Sequence, residues 1–232
     1  MENKSSPDFS AAIGITSFII FFSILFSIFT TKIYSVFPDT ILITVWSFFA
    51  SFVLSILLLW HIFKRYKTYV FQSLQQPRYY FAKGFIYYLL FLPILFIVAT
   101  FSFYIFKKIG FTPEPQQVMH LYLQADSFFL LSIMVFLSCV VAPFAEEIIF
   151  RSVIYTGFKK RFSINISIIL SSLIFALLHN ELFVLPALFA FACYLSHLFE
   201  KYENLWVPIS VHFYNNFFST VIVLILKYFY NI

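Results

Sequence analysis

Ala142–Phe158 reads APFAEEIIFRSVIYTGF, two adjacent acids and an arginine set inside an otherwise apolar run. An ionisable group at membrane depth costs roughly 2.5 kcal/mol or more even on the lenient insertion scale, so such groups are kept where they have a task. On a helix Glu147 and Arg151 stand four apart and share a face, whereas Glu146 points about 100° away. The spacing therefore predicts one ion pair and one acid left free for chemistry.

The rest of the chain says what kind of helix this is. Of 232 residues 62% are hydrophobic and 11% charged, with 36 Phe, and the mean hydropathy is +0.91. Soluble domains carry about 25% charged residues, so the composition excludes that class and predicts an integral membrane protein. The net charge of +5 does not indicate nucleic acid, because the basic residues sit in short loops between apolar runs. Cys139 and Cys193 lie within apolar runs, have no metal-ligand spacing, and read as packing residues.

Apolar runs long enough to span a bilayer, roughly 20 residues each, occur at about 11–33, 40–63, 82–106, 128–158, 164–179, 182–199 and 207–228. The expected fold is an all-α polytopic transmembrane helix bundle of about seven spans, six to eight. It forms a single transmembrane domain over 11–232 behind a polar tail, 1–10. The first run lacks a basic approach and a small-residue cleavage site, so it reads as a retained helix and not a signal peptide. Pro143 should kink the fourth span one turn before Glu146, by removing a hydrogen bond and crowding the preceding turn. The segment Thr112–Asp126 carries Pro113 and Pro115 as breakers and is assigned no chemistry.

Loop charge sets the orientation. Lys4, Lys64, Arg65, Lys67, Arg78, Lys83, Lys159, Lys160, Arg161 and Lys201 fall on one side, and Lys32, Lys107, Lys108 and Lys227 on the other. That excess predicts a cytoplasmic N-terminus in a cell (plasma) membrane. The bases and aromatics of Lys64–Lys83 read first as a positive-inside loop and second as a segment lying on the anionic inner leaflet.

Few polar residues remain inside the spans. His179 ends the fifth, and His212 and Asn216 stand four apart in the seventh. Counting ~1.5 Å per residue from the cytoplasmic ends, these three and Glu146 lie roughly 9 to 22 Å deep, so three helices bring polar groups toward the bilayer centre. A lone membrane histidine is often an interhelical hydrogen bond; the set together points to a site. His61, His120 and His197 lie near span ends or in a loop and read as structural. A poorly solvated carboxylate beside another acid suits a general base acting on water, one histidine can hold that water, and a histidine with an amide can donate to an oxyanion. These parts suffice for peptide-bond hydrolysis. No G-x-S-x-G, H-E-x-x-H or Gly-rich phosphate loop is present, so serine hydrolases, zincins and nucleotide enzymes fit poorly.

The order E-E-x-x-x-R (Glu146, Glu147, Arg151), F-x-x-x-H (Phe175, His179) and H-x-x-x-N (His212, Asn216) resembles the three-motif signature of the CPBP family of intramembrane proteases. That family includes the type-2 CAAX prenyl endopeptidases and bacteriocin-processing or immunity proteins. The resemblance covers about 142–216 and departs at Ser152, where a glycine usually follows the motif arginine. It implies that Glu146 activates water together with His179, that His212 and Asn216 form an oxyanion hole, and that Glu147 and Arg151 support the site or the substrate. It implies a membrane-embedded or lipid-modified protein or peptide substrate. The family is commonly called metalloprotease; a zinc ion would take Glu146, His179 and His212, but that would consume a histidine needed as donor, and a metal-free site is the expectation. Two other classes remain open: a non-catalytic membrane module of the same fold, such as an immunity factor or chaperone, and a proton-coupled transporter, for which paired hydropathy halves are lacking.

Overall fold

The computed structural model describes residues 6–36, 40–111, 117–125 and 127–230. The start of the polar tail and the two breaker prolines, Pro113 and Pro115, lie outside them. The described chain is all helix: α1 (Phe9–Val36), α2 (Thr40–Gln72), α3 (Pro77–Lys108), α4 (Gln117–Gln124), α5 (Phe128–Lys159), α6 (Ile164–Leu178), α7 (Leu185–Tyr202) and α8 (Trp206–Tyr230). Starts follow local chemistry. Asp8 accepts from the backbone N–H of Ala11 at 2.9 Å and from the Ser10 hydroxyl at 2.8 Å, bonds that hold its carboxyl below the usual carboxylate range. Ser127 and Ser163 cap α5 and α6 in the same way, and Pro77 opens α3.

Each expected span falls on a helix, though not every one of these helices is long enough to cross. Among the described residues, α1, α3, α5 and α8 contain stretches long and apolar enough to cross a membrane. α6, at 15 residues, is shorter than the roughly 20 needed and pairs with α7 as a hairpin. The turn between them is real, with Asn180 in the left-handed region at φ 52°. The protein is an integral membrane protein, and large side chains such as Phe96, Ile97 and Phe129 face outward as a lipid-facing surface requires.

α5 is the centre of the bundle. Every residue from Glu147 to Phe158 is buried, with α1, α2, α6 and α7 around the second half and α8 beside the first. Two glycines set how closely neighbours approach. A Cβ on Gly157 would come within 2.5 Å of both Ala12 Cβ and the Asp8 carbonyl, and one on Gly84 would overlap Ser210 of α8. Small residues at helix contacts serve that purpose.

The α7–α8 link fixes where α8 enters. Asn204 Nδ2, the Leu205 N–H and Trp206 Nε1 donate to the carbonyls of Gln75, Ser73 and Leu74 at 2.8, 2.7 and 2.9 Å. The carbonyls of the three residues that follow α2 are thus taken by three successive residues leading into α8.

At Pro143 the structure shows a change of hydrogen-bond register in α5 where a kink was expected. Leu137–Val141 is a π turn, and the N–H of Ala142 reaches back five residues to the Leu137 carbonyl. The next bond in that register would run from residue 143 to Ser138, and proline has no N–H to make it. Ser138 is left with a free carbonyl facing α8. Ile148–Tyr155 forms a second π segment, so the two glutamates occupy the short α-helical stretch between two π segments, a feature frequent at functional sites.

Candidate active site

Glu147, not Glu146, is the hub. Arg151 NH1 donates to Glu147 Oε1 at 3.0 Å, and Arg151 Nε faces Oε2 at 3.0 Å as an ion pair. The pair is 0% and 1% exposed. NH2 of Arg151 donates to the Ala192 carbonyl of α7 at 3.2 Å, and its guanidinium lies over the Phe175 ring at 5.0 Å. His212 Nδ1–H donates to the same Glu147 Oε1 at 2.9 Å. Glu147 thus ties α5 to α8 directly and to α7 through Arg151.

Glu146 sits on the free side that the helical spacing predicts. Its side chain is 29% exposed, yet its Oε2 atom is buried without a hydrogen-bond partner and lies 3.9 Å from His212 Nε2. Because a carboxylate only accepts, Nδ1 of His212 carries a proton, and Nε2 is the ring atom that faces this space.

His179 closes α6. Its Nδ1–H donates to the Phe175 carbonyl at 2.7 Å, which also leaves Nε2 free. The ring packs on Phe175 at 4.5 Å and is exposed. Phe175 is the shared wall: the same ring meets His212 at 6.0 Å and Phe150 at 5.0 Å. His179 is therefore beside the site but within ion-pair distance of neither glutamate.

Asn216 Nδ2 donates to the Ser138 carbonyl at 2.9 Å, the acceptor that Pro143 frees. Asn215 donates to Asn216 Oδ1 at 3.3 Å. One amide N–H of Asn216 remains uncommitted. Ser138 and Pro143 had no sequence signal beyond the position of the proline, and Phe175 was visible only as part of its motif.

The donors that zinc would need are partly assembled. Glu146 and His212 approach each other, but among the described residues no group of three or more His, Cys, Asp or Glu side chains is placed to hold an ion. His179, the third candidate, is turned to Phe175. Three protein ligands are the rule for a catalytic zinc, so no step below is routed through a metal.

A bundle of apolar helices enclosing a buried Arg–Glu–His network with an unpartnered carboxylate beside it defines a membrane protein with a polar site inside its helices. Residues 128–218 match the family described as Type II CAAX prenyl endopeptidase Rce1-like. Similar curated proteins are the "Putative membrane peptidase YdiL" of Bacillus subtilis (strain 168), 29% identical over 55% of this chain and 50% of that one, and the "Membrane-embedded CAAX protease MroQ" of Staphylococcus aureus (strain USA300), 31% identical over 40% of each. Over this segment the chain is similar to the CPBP family. It matches half the length of the first relative and less of the second. No solved structure matches.

Proposed function

We propose that the protein is an intramembrane endopeptidase that hydrolyses peptide bonds of membrane-associated or prenylated substrates, with Glu146 as the base that activates water. The observation that carries this reading is the buried, unpartnered Oε2 of Glu146, 3.9 Å from the Nε2 of a histidine whose other nitrogen is fixed by Glu147. Burial without a partner costs free energy, and a water bonded to both atoms relieves it.

In this mechanism the water oxygen attacks the carbonyl carbon while its proton passes to Glu146. Glu146 then delivers that proton to the leaving nitrogen as the C–N bond breaks. The free N–H of Asn216 donates to the oxyanion. His212, when protonated on Nε2, is a second donor to the oxyanion, and that atom lies 3.9 Å from Glu146. His179, with its Nε2 uncommitted, orients the water at the exposed side. Glu147 and Arg151 hold the His212 ring and touch no substrate. The reading places the N-terminus in the cytoplasm of a plasma-membrane protein.

The test is cleavage of a farnesylated C-terminal peptide by the purified protein in liposomes, with and without chelator. Wild type should cut and keep its activity in chelator, and Glu146→Gln should not cut. Loss of activity in chelator with recovery on zinc alone would overturn the metal-free mechanism and leave the protease reading in place.

A further inference from the structure

A second cluster, outside the Glu147 network, carries two cations with no counter-ion among the described residues. Lys83, in the second turn of α3, and Lys201, in the last turn of α7, both place their ammonium groups over the Tyr202 ring, 4.4 and 5.4 Å from its centroid. Lys83 also donates to the Tyr79 hydroxyl at 3.3 Å, and Lys201 lies 5.8 Å from the Tyr87 ring. Tyr87 and Tyr202 are joined hydroxyl to hydroxyl, and the Tyr194 hydroxyl donates to the Tyr87 carbonyl at 3.0 Å. The rings hold the lysines in place without neutralising them.

Among the described residues no carboxylate lies within 4.0 Å of either lysine. Glu200, the neighbour of Lys201, gives both oxygens to Lys159, each at 2.7 Å, and also accepts from Tyr155 at 2.6 Å. Like charges brought over one ring repel, and an anion between them would remove that cost.

We propose that this cluster binds the phosphate of an anionic glycerophospholipid. Phosphate oxygens accept from ammonium and tyrosine hydroxyl donors together. The acyl chains have a track: Ile86 and Leu90, three and seven residues beyond Lys83 on the same helix face, are 58% and 64% exposed. That continuity favours a lipid over a free phosphate. The cluster also lies at α3's start and α7's end, among the basic segments that the charge rule assigns to the anionic inner leaflet.

Native mass spectrometry of the full chain, exchanged into micelles holding phosphatidylglycerol and phosphatidylcholine, reads the bound lipid. Wild type should retain phosphatidylglycerol in preference to phosphatidylcholine. At about fivefold per lysine near the surface, Lys83→Gln with Lys201→Gln should lower that retention about 25-fold. The Lys83→Arg with Lys201→Arg variant should keep it, and Lys107→Gln with Lys108→Gln at the other end of α3 should leave it unchanged. If the double Gln variant does not fold by circular dichroism, Lys201→Gln alone should show the fivefold loss. Equal retention by wild type and a folded Gln variant, equal retention of the two lipids, or displacement of the lipid by millimolar inorganic phosphate would each overturn the proposal.

Discussion

Replacing Arg151 by alanine removes the only guanidinium in the core of α5 and leaves Glu147, 0% exposed, with His212 as its remaining partner. An intact buried ion pair is weak evidence of net stability, because desolvation offsets most of the attraction. Breaking one, however, costs about 3–5 kcal/mol through the uncompensated charge. For a chain of this size that corresponds to a fall in Tm of about 10 °C. The double variant Glu147→Gln with Arg151→Gln removes both charges and still offers His212 an amide oxygen to accept from, so most of the loss should return, leaving about 1 kcal/mol. Thermal unfolding of the three proteins in one detergent measures this. The reasoning fails if Arg151→Ala and the double variant unfold at the same temperature, since the cost would then be lost packing on Phe175 and not stranded charge.

Asn216→Ala should lower turnover roughly 10²-fold with little change in substrate affinity, as loss of one oxyanion donor does; an unchanged rate would remove Asn216 from the chemistry. Gly84→Ala should destabilise the α3–α8 contact by about 1–3 kcal/mol, because its Cβ would stand 2.8 Å from Ser210 Cβ and 3.0 Å from the Val207 carbonyl. Adding Ser210→Gly should recover part of that, and an unaltered Tm for Gly84→Ala alone would contradict the close approach. Tags at the two ends should report the N-terminus in the cytoplasm and the C-terminus outside, from the excess of basic residues on one side; both ends on one side would mean that a helix counted as a span does not cross.

Much of this architecture was legible because a membrane restricts the options. Apolar runs of about 20 residues must be helical, and the helices from α1 to α8, short α4 aside, fall on the runs read from the sequence. The Glu147–Arg151 pair was readable from its spacing alone. What could not be read was pairing between helices. Depth counted along each helix brought His212 and Glu146 only toward the same part of the bilayer, and it could not show that His212 turns its Nδ1 to Glu147, because rotation of α8 about its axis depends on packing. The α7–α8 link that fixes this entry joins Asn204, Leu205 and Trp206 to carbonyls about 130 residues away in sequence, a pairing that local sequence does not show. Ser138 was invisible for a different reason: its backbone carbonyl matters, and it is free only because a π turn puts Pro143 five residues ahead.

The central claim is that Glu146 does chemistry in a membrane, and it is tested most directly in cells lacking the protein and complemented with wild type or Glu146→Gln at matched membrane levels. The measurement is a terminus-selective inventory of membrane proteins. Full-length precursors should accumulate identically with Glu146→Gln and with no protein at all, and disappear with wild type. Restoration of cleavage by Glu146→Gln would contradict the account, whatever the substrate proves to be.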